Sequence, residues 1–130
     1  MNQEFFLQQL EDAGVNTQEA IARFMGNTAL FLKFIQRLPE VLKFAEIRQA
    51  IQTEDSETFY MLVHTLKGTA GNLGVGAVFD CAHAMLTEYR TTGFSHTRKL
   101  LGLVQEAENE SAKLSRLLLS FQKDCGGTQE

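Results

Sequence analysis

Residues 56–74 read Ser-Glu-Thr-Phe-Tyr-Met-Leu-Val-His-Thr-Leu-Lys-Gly-Thr-Ala-Gly-Asn-Leu-Gly. Phe59, Val63, Leu66, Ala70 and Leu73 recur at spacings of 4, 3, 4 and 3. That rhythm is the single apolar seam of a helix in a bundle. The segment Thr53-Glu54-Asp55-Ser56 supplies capping residues, and Glu57 places a negative charge at the positive end of the helix dipole. A helix from about 56 to 72 is predicted. His64 lies about 100° around from Val63. It therefore falls outside the seam, on the face of Glu57, Tyr60, Lys67, Gly68 and Gly71.

The same rhythm extends outward. Residues 4–12 suit a short helix stopped by Gly14. Asn16-Thr17-Gln18-Glu19 reads as a capping box for a second one, with Glu19 reaching back to Asn16 and Ile21, Phe24 and Met25 on its buried side. Gly26-Asn27 breaks it. A long apolar stripe follows through Leu30, Phe31, Phe34, Ile35, Leu38, Phe44, Ile47 and Ile51. Pro39 either starts a new helix within that stripe or kinks a continuous one. Gly74-Val75-Gly76 ends the central helix. A further helix over about 77–90 turns Val78, Cys81, Ala82, Met85 and Tyr89 inward. Ser95 then opens a last one over about 96–123, where Leu100, Val104, Ala107, Ser111, Leu114, Leu118 and Phe121 keep a seven-residue rhythm. Single apolar stripes joined by short connections imply an all-α, antiparallel four-helix bundle with helices near 27–51, 56–72, 77–90 and 96–123. Short N-terminal helices over about 4–25 would cover one end. A chain of 130 residues suits one domain over 1–130.

His64, Lys67, Gly68 and Gly71 share one helical stripe, with Gly68 about 40° and Gly71 about 20° from the histidine. Imidazole has an unperturbed pKa near 6.5, so a neutral nucleophilic ring is available at neutral pH. It has a cation one turn away. Two glycines inside a helix cost about 1 kcal/mol each relative to alanine. Close approach of a partner explains them, and so does tight packing of a neighbouring helix. Phosphoryl transfer asks mainly for positioning and charge neutralisation. At about 4 Å in a surface-like dielectric two unit charges attract by roughly 4 kcal/mol. Screening leaves an exposed pair far less, so Lys67 would tune a phosphohistidine without creating the activity.

The run His64-Thr65-Leu66-Lys67-Gly68-Thr69-Ala70-Gly71-Asn72-Leu73-Gly74 resembles the signature of histidine-containing phosphotransfer (HPt) domains, the relay modules of bacterial two-component phosphorelays. The resemblance implies that His64 is the phospho-acceptor, through Nε2, with Lys67 its charge partner and Gly68 the clearance residue. It implies receiver domains of response regulators as donors and acceptors, or a hybrid sensor histidine kinase. The receiver would bring its own acidic cluster and Mg²⁺, so no cofactor is expected here. Tyr60, Gly71 and Asn72 are expected docking residues on spatial grounds alone.

No P-loop and no glycine-rich ATP loop occurs, and no strand–helix alternation of a receiver. The expectation is a phosphocarrier without its own kinase domain. The net charge of −4 argues against nucleic acid. No basic-then-apolar start or membrane-length apolar run is seen, which suggests a cytoplasmic protein without direct membrane contact. Cys81 and Cys125 fit neither a zinc pattern nor a redox pair and read as incidental thiols. Two other classes stay open. One is a helical module that binds a receiver without transfer. The other is a metal-binding bundle, for which Asp80, His83 and Glu88 supply too few ligands. His83 and His96 read as structural or solvated.

Overall fold

Asp55 opens the helix on which the site depends. Its side chain accepts a hydrogen bond from the Thr58 N–H at 3.1 Å, and the helix α6 runs Ser56–Asn72 behind it. The computed structural model describes the backbone of residues 2–129 and the side chains of residues 2–121. Seven further helices accompany α6 among the described residues: α1 (Gln3–Asp12), α2 (Thr17–Arg23), α3 (Thr28–Gln36), α4 (Leu38–Val41), α5 (Phe44–Gln52), α7 (Gly76–Thr92) and α8 (Thr97–Gln129). The protein is all-α. Helix α5 packs against α6 and α8, α6 against α7, and α7 against α8, so the four close a ring around one core. Helix α1 lies against α8 and α2, and α2 against α3.

The apolar seams sit where their spacing places them. Phe59, Val63, Leu66, Ala70 and Leu73 of the α6 stripe are buried, and so are Leu100, Val104, Ala107, Ser111, Leu114 and Leu118 of α8. Phe59 meets Tyr89 and Phe94 at ring-centroid distances of 5.1 and 5.6 Å, locking α6 to the end of α7. Cys81 is buried on α7, and burial pushes its thiol up to about 11, so it is an inert core residue. Cys125 lies outside the residues whose side chains are described.

Three expectations are corrected. The helix expected over 27–51 is three helices, α3, α4 and α5. Pro39 stands in the first turn of α4, where its missing N–H is tolerated, and the chain then turns extended at Leu42 (φ −81°, ψ 129°). Only α5 joins the ring of four. Within the N-terminal segment Met25, expected inside, is 95% exposed because it takes the turn after α2 at φ 60°. Leu30 and Phe34 are exposed too, leaving Phe31, Leu32, Ile35 and Leu38 as the buried side. The last helix opens at Thr97, not beside Ser95.

A backbone contact helps to hold the N-terminal helices to the bundle. Asn16 N–H donates to the Gly74 carbonyl at 2.9 Å, beside an isolated antiparallel bridge between Val15 and Val75. Gly74 sits at φ +73°, and a Cβ there would come within 2.6 Å of the Asn16 carbonyl oxygen. Glycine meets both demands at once. The expected capping box forms in altered shape. Asn16 Oδ1 accepts from the Glu19 N–H at 3.1 Å, and Glu19 reaches the Asn16 side-chain amide at 2.9 Å. The Asn16 backbone N–H, the usual target of such a box, is already given to Gly74.

Candidate functional site

Helix α6 turns its seam inward and presents the opposite stripe to solvent. His64 and Gly68 are exposed, while Lys67 and Gly71 are half-buried. Tyr60, 42% exposed, stacks its ring on the His64 imidazole with centroids 5.7 Å apart and planes 6° from parallel. The i, i+4 spacing makes that stack possible and orients the ring from the N-terminal side.

On the C-terminal side of His64 lies a shallow open depression of ≈ 340 Å³. Arg23, His64, Lys67, Gly68, Gly71, Asn72 and Phe79 line it. Helices α6, α2 and α7 thus each contribute. Two cations and no carboxylate stand among these residues, on a chain whose net charge is −4. Lys67 and Arg23 give the depression a cationic lining, with Glu19 paired to Arg23 at its edge.

The two glycines differ. A Cβ built on Gly68 meets nothing within 4 Å, so the backbone there is bare to solvent. A Cβ on Gly71 would meet the Phe79 ring at 3.2 and 3.3 Å. Gly71 therefore admits the aromatic side chain of α7 that floors the depression. Phe79 in turn carries Lys67, whose Nζ stands 5.6 Å from its ring centroid. Such a cation–π contact at an exposed site contributes about 0.5–1 kcal/mol and restrains a side chain that would otherwise sample many rotamers.

Arg23 and Phe79 carry no signal in the sequence that ties them to His64. Arg23 closes α2 and reaches across to α6. Its Nη1 donates to the Gly71 carbonyl at 2.6 Å and its Nη2 to Glu19 Oε1 at 2.9 Å. Gly71 is in the last turn of α6, where its carbonyl also accepts from the Gly74 N–H at 3.2 Å and a positive charge is favoured. A guanidinium at that place caps the helix.

The remaining candidates fall elsewhere. Asn72 is exposed at the far edge of the depression. His83 stacks on Phe79 from the next turn of α7, with centroids 6.4 Å apart. Glu88 is turned toward the start of α8, where Lys99 Nζ lies 2.8 Å and His96 Nδ1 3.0 Å from its carboxylate. Hydrogen bonds from Lys99, Thr92 and His96 hold that carboxyl down to about 2. Asp80, His83 and Glu88 are not assembled into a ligand set, and no group of three or more metal-ligating side chains occurs among the described residues. No described helix is long and apolar enough to cross a membrane.

A search of curated proteins and a search of solved structures each returned no match. A family model described as "Hpt domain" matches residues 29–118. That span takes in α3 to α7 and most of α8, with His64, Lys67 and Gly68 inside it and Arg23 outside. More than half of the chain is covered, and the exposed histidine stands on a central helix of the matched part: the chain belongs to the Hpt domain family.

Proposed function

We propose that this chain carries a phosphoryl group on His64 and exchanges it with aspartates of receiver domains, as a single phosphotransfer domain spanning residues 1–130. The observation that carries the reading is the position of His64. It is exposed on a central helix of the family-matched segment, with Lys67 one turn on and the bare backbone of Gly68 beside it.

The chemistry asks little more of the chain. A ring nitrogen of neutral His64 attacks the phosphorus of an aspartyl phosphate. The P–N bond forms as the P–O bond to the aspartate breaks, and the carboxylate leaves with the electron pair. The ring proton passes to solvent or is retained on the imidazolium. In the reverse direction a second receiver's carboxylate attacks the same phosphorus and the imidazole leaves. Charge stays spread over the phosphoryl oxygens throughout, so a nearby cation helps and a dedicated base is not required. Lys67, held over Phe79, provides that cation. Tyr60, stacked on the imidazole, restrains the ring. Gly68 leaves room for the visiting domain to come close enough for in-line attack. Mg²⁺, when it takes part, belongs to the receiver. The proposed setting is cytoplasmic, without contact with nucleic acid or membrane.

Incubation with a receiver charged by radiolabelled acetyl phosphate tests the reading. Acid-labile, base-stable label should reach the wild-type chain and not His64→Gln, with unchanged circular dichroism. Label on the variant would remove His64 from the role. A wild-type chain that binds the receiver and takes no label would favour a binding-only module.

A further inference from the structure

The phosphotransfer reading leaves Arg23 unused, and the family match does not include it. We propose that Arg23 is a docking residue that anchors a carboxylate on the rim of the receiver domain, extending the site along α6; this rests on the phosphotransfer reading above.

Geometry places the anchor. Arg23 is fixed to the Gly71 carbonyl at 2.6 Å. Gly71 is seven residues past His64, roughly 10 Å along the helix axis, on nearly the same stripe. A standard protein interface covers about 800 Å² on each partner, a disc of about 16 Å radius. A footprint of that size centred on His64 therefore reaches Arg23. The surface between them is continuous. A second open hollow, toward Asn16 and Gly76, shares Arg23, Gly71 and Phe79 with the depression beside His64.

Charge fixes the chemistry of the partner. A guanidinium has five N–H groups, and Arg23 commits two of them, to Gly71 and Glu19. Its side chain is 41% exposed, so the free fork is accessible. Burying it under a docked domain would leave its remaining N–H groups without acceptors, whereas a carboxylate there adds a charge-assisted bond. Glu19 is the one acid beside it, is 60% exposed, and contributes little as a screened i, i+4 pair. The bond to the Gly71 carbonyl also pre-sets the fork, so less rotamer freedom is lost on docking.

A purely structural role for Arg23, as a cap on α6, makes a different prediction from docking. The test is transfer kinetics from an acetyl-phosphate-charged receiver that labels the wild-type chain, measured for Arg23→Gln and Arg23→Lys across NaCl concentrations. Docking predicts that Arg23→Gln raises KM about tenfold while the rate at saturating receiver stays within about twofold. It also predicts a shallower salt dependence of KM, and recovery in Arg23→Lys to within about threefold of wild type. Unchanged KM and salt slope in Arg23→Gln, with only a lowered Tm, would overturn the proposal and leave phosphotransfer standing. Should Arg23→Gln fail to fold, ¹⁵N NMR of the wild-type chain decides. The Arg23 Nε–H resonance must shift on titration with the receiver, and an unmoved resonance while the α6 amides shift would refute docking. A wild-type chain that accepts no label would overturn the phosphotransfer reading and this one with it.

Discussion

Gly68→Ala separates the demands of the fold from those of the site. Gly68 is exposed in the interior of α6, and an added Cβ meets nothing within 4 Å. The substitution meets no steric cost in the isolated chain. Alanine is favoured over glycine inside a helix by about 0.8–1.0 kcal/mol, because the unfolded glycine has more conformations to lose. The variant should thus be more stable by about 1 kcal/mol, a rise in Tm of about 3–5 °C for a chain of this size. Function should move the other way. The methyl group stands where a docked receiver would rest on bare backbone, and holding the aspartate back by about 1 Å can cost up to about a hundredfold in rate. A fall in kcat/KM of ten- to a hundredfold is expected. Thermal denaturation followed by circular dichroism measures the first quantity, and rapid-quench transfer from a labelled receiver the second. A more stable variant that transfers at the wild-type rate would refute the assignment of Gly68 to partner clearance. A less stable variant would mean that the space beside Gly68 is filled within the fold itself.

Other substitutions probe separate parts of the account. Gly74→Ala puts a side chain at φ +73° and a Cβ within 2.6 Å of the Asn16 carbonyl oxygen, so α2 must shift; a loss of about 2–4 kcal/mol is expected in urea denaturation. Lys67→Ala should shorten the lifetime of phosphohistidine or slow transfer while leaving the fold intact, and equal kinetics in quench experiments would remove its role. Glu88→Gln tests an ion cluster remote from His64. The Glu88 carboxyl is held down to about 2 in the folded chain by Lys99, Thr92 and His96, against an ordinary value of 4.5. A lowered folded pKa means that the stabilisation is present above about pH 4.5 and drains away as pH falls toward 2. The wild-type Tm should therefore fall more steeply over that window than that of Glu88→Gln, and parallel melting profiles would contradict the cluster's role.

The central helix was legible in the sequence because one periodicity fixed both of its faces. The 4-3-4-3 seam placed Phe59 to Leu73 inward, and the same periodicity turned His64 and Gly68 outward, as they are. Helix α8 was legible for the same reason, its seven-residue rhythm being long. The segment 27–51 was not, because a helical stripe is satisfied equally by one kinked helix and by three short ones in register. The extended backbone at Leu42 that separates α4 from α5 has no distinctive residue behind it. Met25 looked apolar and therefore inward, but the chain needs a positive-φ residue there to turn, and the side chain was left in water. At the site, residues on one helix could be grouped by angle. Arg23 and Phe79 come from α2 and α7, and only the folded chain brings them beside Lys67. The dual constraint on Gly74, by contrast, had a partial signal, since Gly-Val-Gly marked a turn without naming Asn16 as the atom that presses on it.

Tandem mass spectrometry at neutral to alkaline pH, on the chain mixed with a charged receiver, addresses the phosphocarrier claim most directly. The account predicts one added phosphoryl group, located on His64 and lost on brief acidification. A phosphoryl group on His83, His96 or any hydroxyl or carboxyl side chain, with His64 unmodified, would contradict it.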